Sequence, residues 1–420
     1  MTGTTRQRAC ARGDPQWLPT PAPHVANTLG YFNVPLFSGT ALKFLMNGLS
    51  TPKRVNRAYE SERASFAKGD VVNLRRPSSF NVYDAPIAVG SIDDVVPDSV
   101  QISLSNHKEV KMRITDKEMA YSTDQFIRQH LQPMAYALAN KIDTDLLGLA
   151  YLVPHCQQIT ASGVSDGTAL TIADKILREN KTPDDGVERR HYAASSAVWQ
   201  KWINSSAFGQ WTGGGSNGQA TQETAVLGQK YGFNPYPSNN LLQVAAQTSP
   251  TMTTVTCANA SKGATSVSLS GVALTGTLKA GMVIQIGTQA STAGQAYNAQ
   301  LYSVTADVTA SGNAATVSIS PPLRAAVSGS PAVTQKVNAA AAAFTTELAF
   351  HTDAIALCMV PLPDRAMGAD VQTATDDNSG ISVRARLFYD GNASTHYFAL
   401  DALYGVQMLN PDMAVRGVVV

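Results

Sequence analysis

The sequence predicts an α+β fold organised on one long helix, with a projecting antiparallel ribbon and a small all-β unit set into an α/β body. Three observations predict it. Between Thr123 and Val153 apolar residues recur three or four positions apart. Between Glu109 and Thr115 apolar and polar residues alternate. From Thr251 to Ser320 the only charged residues are Lys262, Lys279 and Asp307, although the whole chain is 15% charged.

The helix comes first because the other elements are arranged about it. Phe126, Ile127, Leu131, Met134, Leu138, Ile142, Leu146 and Leu149 fall on one face at helical spacing. Ser122, Thr123 and Asp124 suit an N-cap, and Pro154 stops the run. Pro133 removes one backbone hydrogen bond, which predicts a kink or a late start. Asn140, Lys141, Asp143 and Asp145 are expected on the wet side. At ~1.5 Å per residue the segment reaches roughly 45 Å.

In chain order, Met1 to Pro23 is rich in Arg, Pro, Thr and Gly and reads as a flexible arm. Its Arg12-Gly13-Asp14 matches an adhesion tripeptide and is read as a chance occurrence. Gly39 to Leu49 predicts a short helix with Leu42, Leu45, Met46 and Leu49 inward. Val71 to Leu74 predicts a strand after the turn Lys68-Gly69-Asp70. Gln101 to Leu104 and Glu109 to Thr115 predict two more, the second with Val110, Met112 and Ile114 on one face. Together these strands are expected to form a long hairpin whose tip lies beyond any core of its own. Ordering such a projection costs entropy, so a neighbouring subunit is its expected cover.

After the long helix, Leu170 to Asn180 and Ala197 to Ile203 predict helices, and Tyr192 to Ser196 a strand. Phe208 to Ala220 is a Gly-rich loop, and Asn239 to Leu242 reads as a strand start. In the low-charge stretch, Ser266 to Leu269, Met282 to Ile286, Leu301 to Thr305 and Thr316 to Ile319 predict strands of a small barrel or sandwich. The α/β pattern then resumes. Ala339 to Phe344 is a helical or linker run, and Ala354 to Val360 a buried strand. Ile381 to Asp390 and Thr395 to Leu400 pair about Asp390-Gly391-Asn392, and Ala414 to Val420 is a last β segment.

Composition narrows the function classes. Lys+Arg 32 against Asp+Glu 31 gives a net charge of +1, too little for an electrostatic hold on DNA or a membrane surface. Cys10, Cys156, Cys257 and Cys358 form no CxxC pair, which fits a reducing compartment. Met1 to Gly30 lacks a signal-peptide core and no run of 18 apolar residues occurs, so a soluble protein not exported by a signal peptide is expected.

No catalytic, cofactor or metal residues are predicted. His24, His107, His130, His155, His191, His351 and His396 show no HExxH or HxH spacing. His155-Cys156 reads as an end-of-helix pair rather than a nucleophile pair. Asp93-Asp94, Asp184-Asp185 and Asp376-Asp377 read as turn residues. Gly213 to Gly218 lacks the Lys-Ser/Thr of a phosphate loop. Arg75-Arg76 and Glu188-Arg189-Arg190 are expected in inter-subunit or surface salt bridges.

The order of several short motifs resembles the major capsid (coat) proteins of tailed bacteriophages, in the subgroup with an inserted β-barrel domain. These are Asn27-Thr28-Leu29, Val55 to Glu60, Gly69 to Pro77, Leu138 to Asp143 (LANKID), Tyr231-Gly232-Phe233, Leu278 to Ile286, Val383 to Gly391 and Tyr404-Gly405-Val406. The resemblance implies a Hong Kong 97-like capsid fold, α+β, with an N-terminal arm at 1–54 and an extended loop with peripheral strands at 55–117. It implies a spine helix at 118–153, an axial domain at 154–248 and 336–402 split by an inserted barrel at 249–335, and a peripheral strand at 403–420. It further implies hexamers and pentamers in an icosahedral shell enclosing double-stranded DNA without sequence-specific binding. A scaffolding protein and a portal are implied partners, with a decoration protein as a further one and no membrane. The implied location is the virion capsid, assembled in the bacterial cytoplasm. Lys68, Lys108 and Lys111 lie where some relatives cross-link, but no partner is marked and no cross-link is predicted. The competing expectations are a cytosolic α/β hydrolase or transferase with an accessory β domain, and a secreted adhesin.

Overall fold

The computed structural model describes residues 34–57, 71–75, 85, 99–115, 127–159, 167–205, 208, 223–244, 251–287, 301–335, 344–364, 369–376, 380–391 and 395–419. The chain opens with α1 (Val34–Gly48), which buries Val34, Phe37, Ala41, Leu42 and Leu45 at three- and four-residue spacing. It begins a turn before the expected Gly39. Its last residue must be glycine, because a Cβ at Gly48 would stand 2.7 Å from Cδ1 of Tyr136. That close approach seats α1 on the long helix.

β1 (Val71–Arg75) and β2 (Ser99–Ser103) form an antiparallel ribbon from Val71↔Ser103 to Arg75↔Ser99. β3 (Asn106–Thr115) was expected to belong to this ribbon and does not. It joins a sheet of the body, because Val110 and Met112 find a core to pack against there. The ribbon's base is also covered, with Val72, Ile102 and Leu104 packed on Ala356, Cys358 and Leu409. Its expected tip lies outside the described residues.

The long helix has three parts. A wide π turn at Ile127–Leu131 leads into α2 (Gln132–Gly148), and a 3-10 turn at Leu149–Leu152 ends it. Pro133 sits in the first turn of α2, where its missing N–H leaves nothing unpaired. A helical turn already precedes Pro133, and the beginning of the segment lies outside the described residues. The expected caps at residues 122–124 lie outside the described residues. Leu138, Ile142 and Leu146 are buried as expected, but so is Asp143, which the sequence had placed on the wet side.

Next come β4 (Cys156–Ile159), α3 (Thr168–Glu179), β5 (Arg190–Ala194), α4 (Ser196–Asn204), β6 (Asn234–Pro237) and β7 (Gln243–Val244). Ser195 caps α4 by accepting from the Val198 N–H. β6 carries Pro235 and Pro237, which an interior strand would not tolerate. It lies at the edge of its sheet, where a missing donor costs nothing. This strand stands before the expected start at Asn239.

The low-charge stretch supplies β8 (Thr251–Cys257), β9 (Ser266–Thr275), β10 (Thr277–Leu278), β11 (Val283–Ile286), β12 (Leu301–Val304), β13 (Val308–Thr309), β14 (Ala314–Ser320) and β15 (Val333–Gln335). Six of them order as β15-β11-β12-β14-β9-β8. A Thr256–Ala332 bridge and a 3.0 Å bond from the Cys257 N–H to the Pro331 carbonyl join the two outer strands. Val267, Leu269, Ile284, Val304, Val317 and Ile319 fill the interior. All four strands expected here are present.

The remaining strands are β16 (Phe344–His351), β17 (Ile355–Val360), β18 (Ala369–Thr375), β19 (Ser382–Asp390), β20 (Thr395–Met408) and β21 (Ala414–Val419). β7 pairs with the start of β16, Gln243↔Thr345 and Val244↔Phe344, so the chain leaves and returns to the body at one place. The body sheet runs β4-β21-β16-β5-β6. One face packs on α3 and α4 through Ala349 and Val415. The other meets the long helix through Leu348, Phe350 and Ala414. A second sheet runs β17-β20-β19-β18, with β3 on the opposite edge of β20 from β19. β20 is continuous through residue 402, where a boundary was expected, and β21 lies in the other sheet.

Candidate assembly surface

The second sheet has two unlike faces. Val383, Ala385, Phe398, Leu400 and Ala402 pack on α1 and α2. The alternate residues form the opposite face, because successive side chains of a strand point to opposite sides. Register places Thr373, Arg384, Asp401 and Glu109 in one row of that face. Arg386, Ala399 and Lys111 make the next, and Phe388, Tyr397 and Arg113 the third. Phe388 and Tyr397 stack at 5.2 Å, with the Lys111 ammonium 4.5 Å above Phe388 and 5.1 Å from Tyr397. A cation over an aromatic face is attracted by its quadrupole. Lys111 and Arg113 are exposed.

Asp401 ties this face together. It is fully buried, and it accepts from Arg384 through Nε at 3.1 Å and Nη2 at 2.6 Å. Arg386 approaches to 3.3 Å and His107 Nε2 to 3.1 Å. Arg386 also pairs with Glu109 at 2.9 Å. A buried carboxylate is tolerable when it is paired and hydrogen-bonded to this extent. Three of its partners come from β3 and β19, so one carboxylate clamps both neighbours of β20.

Asp143 plays a comparable part at the end of α1. It accepts from the Ser50 hydroxyl at 2.7 Å and the Thr51 N–H at 3.2 Å, which anchors the chain after α1 on α2. Burial pushes its carboxyl up from the ordinary range, while the Ser50 hydrogen bond opposes the shift. Asp145, beside it, accepts from the Tyr404 hydroxyl at 2.6 Å and Lys141 at 2.6 Å, so it too serves the frame. In the LANKID motif the chemistry of Asp143 is therefore structural. Its spacing alone pointed outward, and only the 50–51 backbone arriving beside it makes burial affordable.

In comparisons with known proteins, the profile of the family described as "P22 coat protein - gene protein 5" matches residues 39–419. The chain belongs to the P22 coat protein family. Its role is to build a phage capsid. No curated protein sequence matches this coat protein significantly. Among solved structures it is similar to one from Mycobacterium phage Che8, at 14% identity and TM-score 0.45, over 88% of this chain and 90% of that one. The mature capsid of bacteriophage PhiM1 aligns at 10% identity and TM-score 0.44, covering 84% and 83%. A virus-like particle from Pyrococcus furiosus aligns at 8% and 0.41, covering 90% and 97%.

The residues singled out in the sequence of this coat protein sit as follows. His155 and Cys156 point apart: His155 Nε2 lies 2.9 Å from Asp412, and Cys156 packs on Val283 and Leu301. His351 Nε2 lies 3.0 Å from Asp185, and that hydrogen bond chiefly holds the Asp185 carboxyl down to about 2. Burial depresses His191 to about 4, with Arg54 and His351 adding repulsion. His396 packs against Tyr389 with the rings tilted and their centroids 4.7 Å apart. Arg190 is buried and pairs with Asp174 at 2.9 Å, and Arg189 pairs with Asp185 and Asp353. Arg189 thus makes the expected surface salt bridges, whereas Arg190 pairs from a buried position within the subunit. Asp376 accepts from the Gly380 N–H at 2.7 Å, as a turn residue does. Lys108 lies on β3 with Lys111. His24, Lys68, Arg76, Asp93-Asp94, Asp377, Arg12-Gly13-Asp14 and Gly213 to Gly218 lie outside the described residues. Among the described residues no group of three His, Cys, Asp or Glu is placed to hold a metal, and no helix is long and apolar enough to cross a membrane.

Proposed function

We propose that this coat protein forms the hexamers and pentamers of an icosahedral head of Hong Kong 97-like architecture that encloses double-stranded DNA without reading its sequence. In this reading α2 is the spine, and the second sheet is the peripheral domain. The body sheet with α3 and α4 is the axial domain, interrupted between β7 and β16 by a small barrel. The ribbon begins the extended loop, and the segment before Arg54 is the arm. A scaffolding protein and a portal are the partners such a head requires, and the bacterial cytoplasm is where it assembles. The observation that carries the reading is a mismatch within one subunit. Residues 77–98 hold Asp84, Asp93, Asp94 and Asp98 and no Lys or Arg. This segment joins β1 to β2, and Ser103 at the end of β2 lies against Gly405 of β20. Lys111 and Arg113 lie toward the Thr395 end. An acidic segment and an exposed basic row in one chain suit pairing between copies. The near-neutral net charge of +1 suits a wall that stands beside DNA without gripping it. The enzyme alternative has no comparable support, given membership of a coat protein family.

The test is electron microscopy of the purified protein, alone and with its scaffolding protein. Regular closed particles are expected, and Lys111→Glu with Arg113→Glu should lower their yield at least tenfold while the soluble subunit keeps its circular dichroism. A wild-type protein that stays monomeric under every such condition would count against the reading.

A further inference from the structure

The inserted sheet is tethered at one place, where β7 pairs with β16, and it rests on the body along a seam. Among the described residues, three polar contacts cross this seam. Arg324 of the insertion pairs with Asp412 of the body. The Ser320 hydroxyl donates to the Leu152 carbonyl at 3.3 Å, and the Ser303 hydroxyl to that of Tyr151. A small apolar contact of Val283 and Leu301 with Cys156 completes it. Asp412 is held from the body side by His155 Nε2 at 2.9 Å, and its carbonyl accepts from Asn180 at 3.0 Å. The anchor is therefore fixed before Arg324 arrives.

A second feature of the seam works the other way. Arg416 is 2% exposed, and its Nε and Nη2 have no hydrogen-bond partner among the described residues. The insertion closes directly over it, since a Cβ at Gly281 would stand 3.2 Å from its Nη1. A buried guanidinium with two of its nitrogens unpaired is costly, and hydration would recover much of that cost. Closing the seam buries this guanidinium, and opening it lets water reach the unpaired nitrogens. We propose that the seam is a reversible latch, closed by Arg324 on Asp412 and biased toward release by Arg416, so that the insertion has a seated and a released position on the body. The single tether lets it move between them without unfolding either sheet. The inference does not depend on the proposed shell, since every residue in it belongs to one subunit.

Hydroxyl-radical footprinting of the full-length protein tests it. Leu301 and Val283 report on the seam, Leu357 on the body core and Val317 on the insertion core; all are 4% exposed or less. Arg324→Ala should raise labelling at Leu301 and Val283 about fivefold, and Arg416→Met should lower it at least twofold, with Leu357 and Val317 unchanged. A rise, or no change, in Arg416→Met overturns the latch, because Arg416 would then support the closed seam or be indifferent to it. Seam and core labelling that rise in step also overturn it, since opening would then be global unfolding. If Arg416→Met does not fold, Arg324→Ala and Asp412→Asn decide: both must raise the seam alone, and any other pattern overturns the proposal.

Discussion

The five-stranded sheet and the inserted sheet both bury alternate residues of their strands, yet they place charge differently. In the former, Asp401 is fully buried between Arg384, Arg386 and His107. In the insertion the interior cluster is apolar and holds no charge, and Lys279 pairs with Asp307 at the surface at 2.6 Å. The body sheet resembles the first case, with Glu347 fully buried and bonded to the Tyr192 hydroxyl at 2.8 Å and the Ser195 hydroxyl at 2.8 Å. The contrast teaches where each part gets its uniqueness. An apolar interior is satisfied by pattern and volume, and local neighbours supply both. A buried charge is satisfied only by particular partners, which here come from distant parts of the chain.

The strongest way to break the comparison is to remove a charge from each body hub. Asp401→Ala leaves the largely buried Arg384 without its carboxylate and Arg386 with Glu109 alone, and should cost about 3–5 kcal/mol in urea unfolding of the body. The insertion's own transition should not move. A cost near zero would mean that the hub contributes no more than an apolar core.

The next effect concerns pH. Burial pushes the Glu347 carboxyl from 4.5 up to about 7, against hydrogen bonds from Tyr192 and Ser195 that pull it down. The folded body then holds this proton more tightly than the unfolded chain does. Its contribution is complete below pH 4.5 and is lost as pH rises to about 7, a change of about 3 kcal/mol. Glu347→Gln should flatten that part of the stability curve relative to wild type. Parallel curves for the two proteins would rule out the buried proton. The insertion has no such group and should show no slope of this kind.

The smallest effect sharpens the other side. Ile284→Val trims one methyl in the inserted sheet, where Ile284 is fully buried, and should cost about 1 kcal/mol of that unit alone. Differential scanning calorimetry would show the insertion's transition moving while the body's stays. A shift of both by the same amount would mean that the two unfold as one.

Legibility followed the same divide. The insertion's strands at Ser266, Leu301 and Thr316 were readable because β-period alternation is local, and the two pairs of strands β8–β9 and β11–β12 follow each other in sequence. The hairpin β19–β20 was readable from Asp390-Gly391-Asn392 for the same reason. The role of β3 was not: its alternation fits a projecting ribbon as well as a sheet, and only pairing with β20 some 290 residues later, as in His107 with Asp401, decides. Asp143 was misplaced because a helical wheel cannot show the backbone of Ser50 and Thr51 arriving beside it. Among the assembly residues, Lys111 was noted, but its seat over Phe388 and Tyr397 depends on the register of three strands.

By itself the sequence determined the elements: an apolar stripe at helical spacing, alternating runs, turn residues and a stretch almost free of charge. These depend on neighbours within a few positions, where backbone geometry alone sets which side chains share a face. Only the tertiary structure decided which strands pair, which acids are buried, and which face of the second sheet carries Lys111 and Arg113. Those outcomes rest on contacts between residues hundreds of positions apart, and short-range periodicity carries no information about them.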